Sequence, residues 1–226
     1  MAARKKTKDC DEPSCLHVSK PRVVASAPTL NAIAPDDDDG SALLVEGRYI
    51  VGAESLGLDA SRAVLTDCLL ERCDLASAIF RRARLNRVAF VDCRMVGSDF
   101  GDEARLEDVT FEGCLLDMAS FDSASLTRVV FSRSRMPGAS FGLARLERVA
   151  FPDSDLSRCD FAGALAPGGT ASIDLRSATL AAVSFDARLL RAIAIRPEDA
   201  VGIARALGMA VTDGAAQASC KHHDHR

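Results

Sequence analysis

An apolar residue recurs at every fifth position along most of this chain. The series runs Leu65, Leu70, Leu75, Phe80, Leu85, Phe90, Met95, Phe100 and, after one inserted residue, Leu106, Phe111, Leu116, Phe121, Leu126, Phe131, Met136, Phe141, Leu146, Phe151, Leu156, Phe161. It breaks at Pro167-Gly168-Gly169-Thr170 and returns as Leu175, Leu180, Phe185, Leu190 and Ile195. All ten phenylalanines lie on this column. Two residues before each of its members stands a small one, as in Cys68, Cys73, Ala78, Ala83, Val88, Cys93 and Ser98. With Ala164 and Ala166 bridging the break there are 26 such pairs, hence 52 positions; at 27% charged residues, chance would put about 14 charges among them, and the one found is Arg188. Charge depletion on that scale predicts that both columns face a core.

A period of five matches neither the 3.6 of a helix nor the 2 of a strand. It also differs from the unequal spacing of leucine-rich repeats and the six of hexapeptide β-helices. The blocks Cys73-Asp74-Leu75, Ser98-Asp99-Phe100 and Cys159-Asp160-Phe161 resemble the A-(D/N)-L-x-x unit of the pentapeptide-repeat family, over residues 63–195. The resemblance implies an all-β solenoid, a right-handed quadrilateral β-helix with one pentapeptide per side and four per coil. A 20-residue superperiod agrees: the segments 85–104, 106–125, 126–145 and 146–164 each open with Leu, and Val and Phe follow at matching offsets. Four sides per coil would stack Phe90, Phe111, Phe131 and Phe151 on one face, and Phe80, Phe100, Phe121, Phe141 and Phe161 on another. At ~4.8 Å per coil, six and a half coils make a rod about 31 Å long.

The ends read differently. Residues 1–41 combine an early Lys/Arg cluster with Asp36 to Asp39 and carry few large apolar residues, the composition of a disordered tail. Residues 42–196 are assigned to the β-helix, with 43–58 as an irregular N-terminal cap. Pro197-Glu198-Asp199 opens a short α-helix, since proline suits the first turn and acids suit the positive end of the helix dipole. Residues 197–211 thus form a C-terminal cap over the last coil, and residues 212–226 a second disordered tail. In related proteins a C-terminal helix dimerises, so a homodimer through this helix is the rival reading. The inserted residue in Gly101-Asp102-Glu103-Ala104-Arg105 predicts a corner bulge, and Pro167-Gly168-Gly169-Thr170 a loop of four extra residues.

Candidate chemistry is sparse. The four histidines, His17, His222, His223 and His225, all lie in the tails, which leaves the β-helix without a Ser-His or Cys-His nucleophile. No glycine loop cradles a phosphate. Cys10, Cys15 and Cys220 join the tail histidines as zinc-compatible ligands, but a closed zinc site needs four ligands on a fixed frame, so no metal and no cofactor is assigned. Cys73, Cys93 and Cys114 fall on one face, in a column that continues as Ser134 and Ser154; the column selects small side chains, and the thiols read as buried and unreactive. Eight cysteines without a signal peptide read as reduced thiols of a cytoplasmic protein, and the absence of a long apolar run gives no membrane partner.

The expected function is therefore a non-enzymatic binding or scaffold protein with a protein partner. Two alternatives come from the family: a DNA-mimicking binder of bacterial type II topoisomerase, giving inhibition or quinolone protection, and a secretion-system effector or accessory protein. Mimicry needs net negative charge, and residues 59–196 hold 19 acids against 18 arginines. A net charge of −4 for the whole chain also argues against nucleic acid as a partner. The charges do cluster. An acidic band comprises Asp99, Asp102, Glu103, Glu107, Asp108, Glu112, Asp117 and Asp122, and a basic band Arg128, Arg133, Arg135, Arg145 and Arg148. These thirteen residues are the candidate partner-binding surface.

Overall fold

A computed structural model describes residues 18–23, 25–27 and 43–212. The chain winds into a parallel β-solenoid. Its strands are β1 (Ala25–Ala27), β2 (Leu44–Glu46), β3 (Arg48–Val51), β4 (Val64–Glu71), β5 (Arg84–Val91), β6 (Arg105–Glu112), β7 (Ser125–Ser132), β8 (Arg145–Ala150), β9 (Asp160–Phe161), β10 (Ile173–Asp174), β11 (Ser184–Phe185) and β12 (Ile193–Ala194), followed by helix α1 (Pro197–Ala206). All strand pairing is parallel, and from β2 to β8 the partner of each residue lies one coil, 20 or 21 residues, further on, as in Leu65 opposite Leu85 and Leu85 opposite Leu106. Four pentapeptides therefore close one coil. The step of 21 absorbs the inserted residue at a corner where Asp102 and Glu103 both take positive φ, 51° and 68°.

Corners fall on every fifth residue, two past each large inward one. There the backbone enters the left-handed region, as at Arg72, Ser77, Arg82, Arg87 and Asp92, with φ between 51° and 58°. At two of the four corners an i to i+3 hydrogen bond closes a β-turn, as from the Ala78 N–H to the Leu75 carbonyl (3.1 Å) and from Ala83 to Phe80 (3.0 Å). A left-handed third residue makes these type II turns. The other two corners lie within or at the ends of long strands, so faces 1 and 2, centred on Leu65 and Leu70 in β4, share one broad parallel sheet.

Inside, the four faces divide by side-chain type. Face 4 stacks Phe80, Phe100, Phe121, Phe141 and Phe161, with centroids 4.7–5.1 Å apart and rings within 6° of parallel. Opposite, face 2 stacks Phe90, Phe111, Phe131 and Phe151 at 4.8–5.0 Å. The two stacks meet edge to face, at 5.4 Å and 82° between Phe121 and Phe131. Stacking on one side and an edge contact on the other are both favoured by the ring quadrupole. Faces 1 and 3 supply Leu and Met, including Leu106, Leu126, Met95 and Met136, all buried.

Three differences from the sequence expectations concern the ends. The segment 43–58, expected as an irregular cap, is part of a regular coil over 43–62: Val45, Ile50, Ser55 and Ala60 continue the large column and are buried. The pattern hides there because Ser55 and Ala60 stand where later coils place Leu and Phe, while larger residues, Leu43 and Leu58, move into the small column. Within the segment expected to be a disordered tail, β1 adds a parallel strand to β3, with Ser26 opposite Tyr49. Residues 1–17, 24 and 28–42, with Cys10, Cys15 and Asp36 to Asp39, and residues 213–226 with Cys220 lie outside the described residues. At the other end the register slips by one. Residues 187–189 form a 3-10 turn capped by the Asp186 side chain, and Leu189 is buried in place of Leu190. That slip turns Arg188, the single charge in the columns, out to solvent. The loop of four extra residues is present: Arg145 pairs with Leu165, but Val149 pairs with Ile173.

Candidate interaction surface

On the outside, successive coils set like positions in register, so each outward column is a ladder with rungs ~4.8 Å apart. The acidic residues of the expected band occupy all four faces. Asp99 and Asp122 are on face 4, Asp102 and Glu103 at the next corner, Glu107 and Asp108 on face 1 and its corner, Glu112 on face 2 and Asp117 on face 3. The band is a belt around the rod.

Most of the belt is paired with the neighbouring coils. Asp99 meets Arg81 at 2.6 Å, Asp102 meets Arg82 at 3.0 Å, and Asp117 meets Arg135 at 3.0 Å. Arg133 bridges Glu112. Arg128 binds Asp108 through two nitrogens, at 2.7 and 2.9 Å, and reaches Glu107 at 2.6 Å. Asp122 accepts from the Gly142 N–H (2.7 Å) and from the Ser140 hydroxyl. Arg148 lies 3.4 Å from Glu147. Among the described residues, Glu103 and Arg145 form no ion pair. Four acids of the acidic band and three arginines of the basic band are thus partners across coils, and exposed pairs of this kind are worth about 0–1 kcal/mol each.

One corner differs from the rest. Between faces 1 and 2 stand Asp67, Arg87, Asp108, Arg128 and Arg148, one per coil. Arg87 grips Asp67 with two hydrogen bonds of 2.7 Å, and Arg128 grips Asp108. Asp108 is buried, with 7% of its surface exposed. The Arg87 guanidinium, helped by the Arg22 N–H, lowers the Asp67 carboxyl to about 2. Asp108 is lowered too, first by Arg128, against the opposing effect of burial. Residues 18–23 run along this corner: the Ser19 N–H donates to Asp108 Oδ1 (3.3 Å) and the Arg22 N–H to Asp67 Oδ1 (3.1 Å). The sequence reading grouped Asp108 with its exposed neighbours and omitted Asp67 and Arg87. The signal it passed over is the alternation of acid and arginine at 20- and 21-residue intervals.

Beside that corner, face 2 carries an outward column without charge, the partly exposed Tyr49, Leu69, Ala89, Thr110 and Val130, followed by the buried Ala150, paired in series across six coils. The next member of the column is Asp174. This strip too was missed, because outward residues were read only for charge.

The five cysteines of the solenoid, Cys68, Cys73, Cys93, Cys114 and Cys159, are buried. Cys93 is raised to about 12, first by its contact with the Cys114 thiol, and Cys159 to about 12 by burial. Each thiol donates to a backbone carbonyl of the coil before it, as Cys114 does to Phe90 at 3.4 Å. The Ser134 hydroxyl makes the same bond to Phe111, so cysteine here fills the place of serine. Among the described residues there is no cluster of three His, Cys, Asp or Glu that could hold a metal, and no helix is long and apolar enough to cross a membrane.

Residues 63–141 match the profile of a family described as the pentapeptide repeat region. Residues 63–141 thus carry the pentapeptide repeat, and the chain winds as a pentapeptide-repeat β-helix. No curated protein matches it in sequence. Solved pentapeptide-repeat structures match at low identity. QnrB1, a plasmid-mediated fluoroquinolone resistance protein, is 17% identical over 84% of this chain and 97% of its own, with a TM-score of 0.37. Rfr23 from the cyanobacterium Cyanothece 51142 is 12% identical over 62% of this chain and 88% of its own, with a TM-score of 0.28. HetL, involved in heterocyst differentiation regulation in Nostoc sp. strain PCC 7120, is 16% identical over 71% of this chain and 80% of its own, with a TM-score of 0.21. What this β-helix presents to a partner must therefore be read from its own surface.

Proposed function

We propose that this protein is a non-enzymatic scaffold that binds another protein along face 2. The observation that supports the reading is the uncharged strip from Tyr49 to Val130 on a rod whose surface is otherwise rich in charge. On the neighbouring corner and on the belt, many charges are instead paired with residues of the adjacent coil. On the strip, a partner meets a flat β-surface of small and apolar side chains and has no ion to strip of water, which removes one of the costs of association. A strip of five coils at ~4.8 Å spans about 24 Å.

The same charge pairing speaks against DNA mimicry. DNA presents about one unpaired negative per 1.7 Å, whereas residues 59–196 balance 19 acids with 18 arginines, and eight of those acids are paired with an arginine of a neighbouring coil. A homodimer is a second proposal, favoured by Val201, which α1 leaves 43% exposed at the end of the rod.

The test is affinity capture from the native host with the full chain, set against a chain carrying Ala89→Glu and Val130→Glu. A partner retained by the first bait and lost by the second supports the strip. A partner held equally by both removes it. A gyrase supercoiling assay separates the DNA-mimic reading: inhibition or quinolone protection at micromolar protein would put that reading first. Light scattering on Val201→Glu against the unaltered chain tests the dimer.

A further inference from the structure

The strap of residues 18–23 shows what the corner between faces 1 and 2 is built to hold. Its two docking donors are three residues apart, Ser19 and Arg22. Its two acceptors, Asp108 and Asp67, are two coils apart, separated by Arg87. A polyproline II segment has three residues per turn and rises ~3.1 Å per residue, so N–H groups three apart point the same way at a separation of about 9.3 Å. Two coil spacings come to about 9.6 Å. The two repeats are commensurate. Pro21 stands between the donors, fixes its own φ in this range and holds Lys20 extended. The strap carries no helix, strand or turn over residues 18–23.

We propose that the Asp67–Arg87–Asp108–Arg128 corner is a docking rail for polyproline II segments, and that residues 18–23 are a replaceable occupant of it. The partner is an extended protein segment of the form Ser/Thr-x-Pro-Arg/Lys. Each element of that form answers a contact. The first residue's N–H meets Asp108, where the Ser19 hydroxyl also helps to hold the carboxylate ionised. Proline presets the backbone. The last residue's N–H meets Asp67, close enough for the Arg22 charge to act on that carboxylate. The two arginines keep both acids ionised and fixed, so no reorganisation accompanies docking. Past the rail, the occupant continues as β1 on the open edge of β3, so a competing segment would gain a second anchor by strand addition. The proposal rests on the protein-binding reading but uses a different surface from the face 2 strip, so either can fail alone.

Two backbone deletions test it in the full chain. Ser19→Pro and Arg22→Pro each remove one docking N–H, lie outside the solenoid and remain compatible with polyproline II. The probe is a fluorescent synthetic peptide with the sequence of residues 16–27, titrated by anisotropy. A covalently tethered strap competes at an effective concentration near millimolar, so the doubly substituted chain should bind the peptide at least about 10-fold more tightly than the unaltered chain. A control peptide with proline at both donor positions should bind at least about 10-fold more weakly than the probe, since both rail hydrogen bonds to charged acceptors are lost. Equal binding by the two chains, equal binding of the two peptides, or no binding to the substituted chain would overturn the proposal. Amide exchange gives an independent reading: the Arg22 N–H of the unaltered chain should exchange at least about 10-fold more slowly than in the free peptide, because it is hydrogen-bonded. Exchange at the free-peptide rate would show that the rail is not engaged.

Discussion

Phe121 and Phe185 occupy the same face of the solenoid, three coils apart, in different environments. Phe121 is fully buried, stacked on Phe100 at 5.1 Å and Phe141 at 4.9 Å, with the edge of Phe131 at 5.4 Å. Phe185 stacks on Phe161 alone, at 5.4 Å and 16°, and is half-buried. Around it the coil thins. Strands of eight residues in β4 to β7 give way to two-residue strands, and a cavity of about 460 Å³ opens between α1 and the last coils, lined by Leu180, Val183, Phe185 and Ile203 among others. A repeat position decides which way a side chain points; the coil above it decides whether that side chain is buried. Each repeat of a solenoid has only its neighbours to pack on, so the last one is short of half its contacts.

The largest expected effect breaks or confirms that contrast directly. Phe121→Ala should lower stability by about 3–5 kcal/mol, because a closed cavity replaces a ring held on three sides. Phe185→Ala should cost about 1–2 kcal/mol, since a half-exposed ring loses less transfer energy and its site stays open to water. Urea melts of both variants measure the difference. Equal losses would mean that the C-terminal end is as well packed in solution as the middle.

The middle of this molecule was legible in its sequence, and the ends and surface less so. Period five with a 20-residue superperiod specifies four faces and both phenylalanine stacks, because identical coils must place identical residues in register. At the N-terminal coil the same geometry uses Ser55 and Ala60 on the large column, and apolar periodicity fades although the backbone does not change. At the C-terminal end, Arg188 in the column was itself the mark of the slip to Leu189. The interaction surface was the least readable part. Charge runs along the chain suggested bands, but on a rod of 20-residue coils the neighbours that matter are 20 and 21 positions away. Arg128 thus belongs with Asp108, and Arg133 with Glu112. The strap lies 89 residues from Asp108 in sequence, and no local pattern announces it.

Ion pairs sharpen the comparison at a second level. Arg128→Ala leaves the buried Asp108 carboxylate without its bidentate partner and should cost about 2–3 kcal/mol, the range for an unsatisfied buried group. Arg196→Ala at the terminal helix removes a 2.9 Å pair with Asp199, but Arg196 is 44% exposed and its charge is screened by water, so the melt should be nearly unchanged. Acid should act on the same contrast. The Asp67 carboxyl is depressed in the folded protein to about 2, below its unfolded value of ~3.9. Its stabilising contribution is therefore complete above the unfolded value and disappears as pH falls from there through about 2. Melts between neutral pH and pH 2, compared with an Asp67→Asn chain, isolate that contribution: the gap between the two should close in this window.

Thiol reactivity reports the same gradient kinetically. Cys93 and Cys114 sit in the middle coils, and Cys159 lies one coil below the thinned end; all are buried. Labelling then requires local opening, which is easiest near a frayed terminus. In native protein under a thiol reagent, Cys159 should react before Cys93 and Cys114, as mapped by peptide mass spectrometry over time. Early labelling of the middle pair would show that opening does not start from the C-terminal end.

The smallest expected effect concerns the surface pairs that make up most of the acidic and basic belts. Arg133 and Glu112 pair across one coil with side chains 63% and 40% exposed. At that exposure, water screens the charges and two long side chains must be held still, so a double-mutant cycle with Arg133→Ala and Glu112→Ala should give a coupling of no more than about 0.5 kcal/mol. Raising salt from 0.1 to 1 M shortens the Debye length from about 10 to about 3 Å and should erase even that. The buried pair of Asp108 and Arg128 should keep most of its coupling under the same salt, because its carboxylate is shielded from ions as well as from water. If the Arg133 and Glu112 cycle instead showed a large, salt-resistant coupling, the belts would be structural elements comparable to the rail. A small, salt-sensitive value leaves them as a solvated charge pattern, whose influence on a partner lies in the rate and orientation of encounter.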